Sequence, residues 1–431
     1  MTSPLRIGLA GLGTVGIGTV EVLRIHANKL ATRGGRKLLL TTVSARDRNK
    51  DRGIDFGDCT WHDDAMALAR DPSVDVVVEL IGGAEGIARE LIEAALSASK
   101  HVVTANKALI AHHGTALAHS AEAAGVALAY EAAVAGGVPI IKALREGLAG
   151  NRIDRISGIL NGTCNYILTN MAGSNRSFDE VLAEAQALGY AESDPAMDVN
   201  GIDTAHKLAI LASVGFGAKV DFNSVYVEGI RHISPIDIEF ARELGYGIKL
   251  LGVAARAGDL IEQRVHPCMV PLESPMNHVS GVINAIAVTG DFVDTTIYEG
   301  RGAGAWPTAS AVVADLMDIA RGRILPTFSV PANDLKKLRT LPISAHHGPY
   351  YVRLMLIDKP GVFAEIAAIL RDNGVSMESV LQRGRSPGEP VPVAMTVHET
   401  EEAAMQRTLK AIAAIDAVVE PPCMIRVETF L

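Results

Sequence analysis

Cysteine is scarce in this chain of 431 residues: four thiols, Cys59, Cys164, Cys268 and Cys423, lie far apart and none forms a Cys-x-x-Cys pair. That spacing excludes a disulfide framework and a zinc ribbon, and predicts reduced thiols. Aromatic residues make up only 4% of the chain while hydrophobic residues reach 48% and glycines number 41, which suits an Ala/Val/Gly-rich α/β enzyme. An excess of positive charge is missing too. The formal net charge of -9 argues against a general nucleic-acid binder, which needs a basic footprint. No run of 18 apolar residues occurs, and Met1-Thr-Ser-Pro leads into a strand pattern without the layout of a signal peptide. A soluble, cytoplasmic protein with no membrane and no nucleic-acid partner is therefore expected. At this length the chain should divide into two or three domains.

The densest chemistry lies in Glu192-Ser-Asp-Pro-Ala-Met-Asp-Val-Asn-Gly-Ile-Asp-Thr-Ala-His-Lys207, which gathers four carboxylates and one lysine beside apolar neighbours. Leu208, Leu211 and Ala212 recur at helical spacing after it, so Asp198, Gly201 and Asp203 should sit at or near a helix N-terminus. Asp203 and Lys207 are four apart and share one helical face. As an ordinary surface pair they would be worth only about 0.3–0.5 kcal/mol. The helix is apolar nearly all round, however, and a lysine that enters a buried element is drawn toward acid/base use.

At the N-terminus, Leu5-Arg-Ile-Gly-Leu-Ala-Gly-Leu-Gly-Thr-Val-Gly16 reads as an apolar strand, then Gly11-Leu12-Gly13-Thr14-Val15-Gly16, then a helix through Val20, Val22 and Leu23. This is the dinucleotide fingerprint in its required context: Gly11 for the tight turn, Gly13 for approach to the pyrophosphate, and Gly16 for close helix–strand packing. The next strand, over 38–44, ends in Ala45-Arg46-Asp47-Arg48. Arg46 favours a 2′-phosphate and hence NADP, while Asp47 leaves NAD open. A strand over 74–81 ends in Gly82-Gly83, placed to let a nicotinamide lie against backbone. After a helix over 86–98, the strand at 101–105 delivers Asn106-Lys107 to the carboxyl end of the sheet, where open α/β folds bind ligands. Lys107 is either a solvated helix-start lysine or a residue of the cofactor–substrate junction. His112, His113 and His119 lack matched ligand partners and read as packing or surface residues.

A strand over 126–130 closes the first domain. Glu131-Ala-Ala-Val-Ala-Gly-Gly-Val-Pro139 then offers one carboxylate beside exposed carbonyls, which suits a weakly held monovalent cation or a plain hinge. The second domain shows a strand over 155–160, a loop at Asn161-Gly-Thr-Cys-Asn165, and a helix with a capping box at Ser177 and Glu180 and a stop at Gly189. Nothing nearby in sequence would activate Cys164. A helix over 236–244 and strands near 248–256, 260–270 and 284–290 follow. Glu299-Gly-Arg-Gly-Ala-Gly304 reads as a second glycine loop before a helix near Thr308; its N–H groups, at Gly302 for example, face the cofactor or form a simple turn. Residues 326–349 read as a linker. The tail has the order βαββαβ, with strands over 350–357, 375–381, 391–397 and 424–429, helices over 363–373 and 401–415, and a Gly/Pro turn at 384–390.

Together, Gly-Leu-Gly-Thr-Val-Gly16, Thr104-Ala-Asn-Lys107, and Glu192-Ser-Asp-Pro through Gly201-x-Asp-x-x-x-Lys207 resemble homoserine dehydrogenase. Asn161-Gly-Thr-Cys-Asn-Tyr-Ile167 and Arg301-Gly-Ala-Gly304 also fit. The tail, with Asp358-Lys-Pro-Gly-Val362, resembles an ACT domain. The resemblance implies a Rossmann-type dinucleotide-binding domain (1–135), an α+β catalytic and dimerisation domain (136–325), a linker (326–348) and an ACT-like regulatory domain (349–431). It implies reversible reduction of L-aspartate 4-semialdehyde to L-homoserine with NAD(P)H, on the route to threonine and methionine. On this resemblance Lys207 is the proton donor, Lys107 the second active-site lysine near cofactor and substrate, Asp203 the acid beside the proton-transfer lysine, and Glu192 the holder of the substrate amino group. Glu131 with the carbonyls of Val134, Gly136 and Val138 matches a sodium site. Threonine as an effector between paired ACT copies, and a homo-oligomer (dimer or tetramer), are implied as well. Two rivals stand beside this reading: a phosphorylating semialdehyde dehydrogenase acting through a cysteine thioester, and an amino-acid sensor with an inactive nucleotide domain.

Overall fold

Apart from Arg6, residues 5–10 are apolar, and residues 76–78 are valines; the protein buries them on both faces, as a parallel sheet requires. The structure, a computed structural model, describes residues 3–383, 386 and 388–429. The first unit runs β1 (Leu5–Ala10), α1 (Thr14–Ile25), α2 (Ala27–Gly34), β2 (Leu38–Ser44), β3 (Thr60–His62), α3 (Met66–Arg70), β4 (Val76–Glu79), α4 (Ile87–Ser97), β5 (His101–Thr104), α5 (Lys107–Ala123) and β6 (Leu128–Ala129). All six strands are parallel in the order β3-β2-β1-β4-β5-β6. The strand order reverses between β1 and β4, and the carboxyl ends there form the crevice in which such sheets hold ligands.

The second unit contains α6 (Ile140–Lys142), β7 (Ile153–Ile159), α7 (Gly162–Ser174), α8 (Phe178–Ala187), α9 (Ala196–Val199), α10 (Ile202–Phe216), β8 (Tyr226–Val227), α11 (Pro235–Glu243), β9 (Tyr246–Ala257), β10 (Leu260–Pro271), α12 (Pro275–His278), β11 (Ile283–Gly290), β12 (Asp294–Arg301) and α13 (Ala305–Ala320). The tail adds β13 (Arg339–Thr340), β14 (His347–Ile357), α14 (Val362–Asp372), β15 (Met377–Gln382), β16 (Pro390–Glu401), α15 (Glu402–Ile412) and β17 (Cys423–Val427), the expected βαββαβ order from β14 onward. Residues 384, 385 and 387 of the expected Gly/Pro turn lie outside the described residues.

The second and third units share one sheet, in the order β12-β11-β7-β9-β10-β17-β14-β16-β15. Strand β10 pairs antiparallel with β9 along its whole length. On its other side it pairs with three short parallel strands in turn: β13 at Leu260–Ile261, β8 at Arg264–Val265 and β17 at Cys268–Met269. The tail is thus stitched into the sheet of the second unit.

Four expectations change in the structure. Asn161-Gly-Thr-Cys-Asn165 is not a loop: Asn161 is the N-cap of α7, its side chain accepting from the Cys164 N–H at 2.8 Å. Its Asn-Gly pair looks like a turn until the cap is recognised. Glu299 to Arg301 are not loop either; they end strand β12, only Gly302 to Gly304 connect, and α13 starts at Ala305 rather than near Thr308. Helix α13 packs into the apolar cluster of Leu5, Ile7, Leu9 and Val20, so residues 305–320 return to cover the first sheet although they follow the second unit in sequence. The stretch read as a linker is packed: Phe328, Ala332 and Leu335 are buried, and Glu122 of α5 accepts the Thr327 and Ala332 N–H groups at 3.3 and 2.7 Å. Among the described residues no helix is long and apolar enough to cross a membrane.

Candidate active site

The first turn of α10 is wholly buried from Asp203 to Lys207, so its polar side chains must find partners inside the protein. Lys207 Nζ donates to Asp203 Oδ2 at 2.8 Å and to the Leu160 carbonyl, at the end of β7, at 2.6 Å. Lys107, the first residue of α5 at the carboxyl end of β5, reaches the other oxygen of the same acid, 3.1 Å from Asp203 Oδ1. Two lysines from different units therefore converge on one carboxylate. Burial opposes ionisation of Asp203, but Lys207 and Lys107 outweigh it and hold the carboxyl far below its usual range. The Asp203 charge in turn raises the pKa of Lys107, whose side chain keeps 40% exposure.

Asn161 completes the frame. Its Nδ2 donates to Asp203 Oδ2 at 2.8 Å and to Asp198 Oδ1 at 2.7 Å, while its Oδ1 caps α7. Burial and the nearby Asp203 push the Asp198 carboxyl upward. Glu192 lies exposed on the loop between α8 and α9, and its charge adds to the field on Lys107. The four acids of the 192–207 stretch thus differ by environment. Asp203 is saturated, Asp198 is half-buried, and Glu192 and Asp194 face solvent.

The glycine turn after β1 behaves as its spacing predicts. Gly11 has φ +98°, and a Cβ on it would stand 2.4 Å from the Leu80 carbonyl; one on Gly16 would stand 2.1 Å from the Gly11 carbonyl. A Cβ on Gly13 would meet nothing within 4 Å, so the cradle is open where a pyrophosphate must approach. Gly11, Leu12, Gly13 and Arg46 line a cleft of about 610 Å³ together with Asp47, Lys50 and Arg52. Thr14, Val15 and Gly16 lie outside that lining, at the start of α1. Lys107 and Gly302 are not part of the cleft lining either: Lys107 is at Asp203, and Gly302 is pressed against Asn284, whose Oδ1 lies 1.5 Å from where a Cβ would be.

The Glu131 carboxylate accepts the Ile141 and Lys142 N–H groups at 2.9 Å each. Burial, and then the neighbouring Asp315, push its pKa up to about 7. Val134 and Gly136 are buried, and among the described residues nothing donates to their carbonyls; the Val138 carbonyl accepts from Ile140 N at 2.8 Å. A buried acid that resists ionisation, beside orphaned carbonyls, is a donor set that fits a monovalent cation.

Sequence reasoning passed over several residues of this region. Asn106 donates to the Gly83 carbonyl at 2.7 Å and caps α5 at Leu109 N, tying the turn after β4 to the helix that carries Lys107. Buried Glu79 accepts from Ile81 and Gly82 N–H and from Thr104 Oγ1. An asparagine before a helical lysine was the available signal for the first, and the strand-end acid for the second. Cys164 is fully buried, its thiol donates to the Asp198 carbonyl at 3.2 Å, and burial pushes its pKa well up, the opposite of an activated nucleophile. His112 stacks with His206 and Phe222, and His113 pairs with Glu85. His266, Cys268 and Glu428 bring three potential metal-donor atoms within 4.8 Å of one another, which spacing did not reveal, but Arg264 and Arg155 already pair with Glu428.

A family model described as the homoserine dehydrogenase NAD binding domain matches residues 11–131, one described as homoserine dehydrogenase matches 139–317, and an ACT domain model matches 350–417. The homoserine dehydrogenase of Pseudomonas aeruginosa is 45% identical over 432 residues, covering 99% of each chain, and that of Neisseria gonorrhoeae is 44% identical over the same length and coverage. The crystal structure of a homoserine dehydrogenase from Thiobacillus denitrificans superposes with a TM-score of 0.94 at 44% identity, covering 99% of each chain. A hyperthermophilic archaeal homoserine dehydrogenase in complex with NADPH superposes with a TM-score of 0.63 at 25% identity, over 78% of this chain and all of that one.

Proposed function

The chain belongs to the homoserine dehydrogenase family, and we propose that it reduces L-aspartate 4-semialdehyde reversibly to L-homoserine, with Lys207 handling the proton. The observation that carries this reading is the convergence of Lys107 and Lys207 on opposite oxygens of Asp203. An ammonium has three N–H donors, and two of Lys207's are committed to Asp203 and Leu160. The third remains for a substrate oxygen. The cleft lined by Gly11, Leu12, Gly13 and Arg46 would hold a reduced nicotinamide cofactor, which would supply the hydride. Hydride addition builds alkoxide charge on the carbonyl oxygen, which Lys207 stabilises and then protonates; in the reverse direction it takes the hydroxyl proton. Asp203 orients both amines, and its charge favours the ammonium form of Lys107. Glu192, exposed beside Lys107, is free to hold the substrate ammonium.

Kinetics on Lys207→Ala test this directly. A fall in kcat on the order of 10²–10⁴-fold with cofactor affinity retained is expected, and near-normal turnover removes Lys207 from the mechanism. The thioester rival predicts that Cys164→Ser is dead and that turnover requires inorganic phosphate; the buried, proton-retaining thiol speaks against both.

NADP is the favoured cofactor. Arg46 has no acid partner among the described residues, and although Asp47, Asp63 and Asp64 line the cleft beside Lys50 and Arg52, this free guanidinium is placed to meet a 2′-phosphate. The NADPH named for the archaeal relative agrees with this preference. Sodium at Glu131, Val134, Gly136 and Val138 would balance the buried carboxylate. Residues 1–135, 136–325, 326–348 and 349–431 remain our division into domains, with α13 returning to the first.

Threonine feedback through the ACT module, in a homo-oligomer, completes the proposal. Gly361, at φ +95°, opens α14 with nothing near its missing Cβ, which leaves room for a ligand at that turn. Gly361→Val should abolish threonine inhibition while turnover persists; unchanged inhibition removes the assignment. Because β17 is stitched to β10, this substitution is a cleaner probe than truncation of the tail.

A further inference from the structure

Away from Asp203, strand β9 carries a second buried lysine. Lys249 is 5% exposed, and among the described residues no carboxylate pairs with it. Its ammonium donates to the Val279 carbonyl at 2.6 Å and to Asn165 Oδ1 at 3.4 Å, which leaves one of its three N–H groups uncommitted. Uncompensated burial draws its pKa down to about 8. A buried cation without a counter-charge is costly, and such a group persists where something repays it.

Lys249 lines a cavity of about 290 Å³ between α7, α11, β9 and α12. Leu168 and Ile238 supply apolar wall, Tyr246 and Asn277 supply polar edges, and Arg242 joins from α11. Arg242 has no ion pair and no side-chain hydrogen bond among the described residues. No aspartate or glutamate lines the cavity, and its only other titratable group, Tyr246, is neutral at physiological pH. Two cations, apolar wall and no acid in the lining favour an anion; Glu378 of β15 is the acid whose charge reaches the lining, at Tyr246.

We propose that this cavity is a second binding site, for a small carboxylate with a short apolar body and no ammonium group. The carboxylate would lie between Lys249 and Arg242, with its hydrocarbon against Leu168 and Ile238. An amino acid is disfavoured because nothing in the lining would hold its ammonium, which separates this site from the one around Asp203. The cavity backs onto α7, and Asn165, the partner of Lys249, stands one turn from Asn161.

The test is calorimetric titration of 3-methylbutanoate into the full chain at about pH 7, with L-homoserine saturating. Saturable binding of one anion per chain is expected. Lys249→Met and Arg242→Glu should each weaken it tenfold or more. Arg242 is exposed at the rim, so its inversion leaves the interior intact and the test survives if Lys249→Met fails to fold. The bound anion favours the ammonium form of Lys249, so affinity should fall as pH rises above about 8, toward tenfold per unit, with proton uptake appearing in the binding heat. Absence of saturable binding, binding unchanged in Arg242→Glu, or displacement by L-homoserine would overturn the proposal.

Discussion

Asp203 and Arg426 sit at the centres of two buried charge clusters that are wired in opposite ways. At Asp203 one carboxylate is shared by two lysines, one of them with a side chain 40% exposed. At Arg426, on β17, one guanidinium of 1% exposure is consumed by two acids: Nε and Nη2 donate to Glu402 at 2.8 and 2.6 Å, and Nη1 and Nη2 to Glu228 at 2.9 and 3.2 Å. Arg264 repeats the pattern beside it with Glu262 and Glu428. The difference is instructive. The cluster that ties the tail to the second unit spends its donors on protein acceptors, whereas the one at Asp203, which also bridges two units and is the proposed substrate site, keeps donors in reserve.

The contrast can be broken most forcefully at the seam. Arg426→Met leaves buried Glu402 and half-buried Glu228 without their cationic partner, and should lower stability by about 3–5 kcal/mol in urea unfolding, while folded molecules still turn over. A variant of wild-type stability would mean that this cluster holds nothing together. Asp203→Asn should act the other way. It removes the charge that orients both lysines, and kcat should fall on the order of 10²–10³-fold, with the pH profile displaced to lower pH as Lys107 loses its partner. Full activity in this variant would make the shared acid ornamental. A smaller effect is expected at the cleft: Arg46→Ala should raise KM for NADP about tenfold, the value of one charge-assisted contact, and leave KM for NAD nearly unchanged in parallel assays.

The smallest effect concerns Glu131. Its folded-state pKa of about 7 lies above the ordinary 4.5, so its contribution to stability is full below about 4.5 and is lost as pH rises through 7. A cation that binds the ionised form reverses that loss. Thermal unfolding in sodium against choline chloride should therefore show a stabilisation that grows by about 1–2 kcal/mol between pH 5.5 and 8; a pH-independent difference would argue against an ion at Glu131.

Features governed by short-range rules were legible in the sequence. The glycine turn at Gly11–Gly16, the capping box at Ser177 and Glu180, and the pairing of Asp203 with Lys207 each depend on residues within five positions of one another. Strand β12 was hidden because it is an edge strand without a clean buried face, and Gly300 near its end reads as a turn. Helix α13 reads as a helix, but its apolar face does not announce that it belongs to β1 rather than to the nearer β11. Lys107 and Asp203 illustrate the same limit: each residue stood out alone, and their meeting depends on how two sheets are set against each other. The seam around Arg426 was wholly illegible, since its partners Glu228, just after β8, and Glu402, at the start of α15, are distant from it in the chain.

The edge of β10 is closed in three pieces, and the piece from β17 is synthesised long after β10 itself. During translation the Cys268–Met269 part of that edge therefore stays unpaired until nearly the whole chain has emerged, and an interrupted nascent polypeptide keeps it open to other molecules. Premature termination would thus yield an adhesive, aggregation-prone fragment, which couples the presence of the tail to the survival of the second unit.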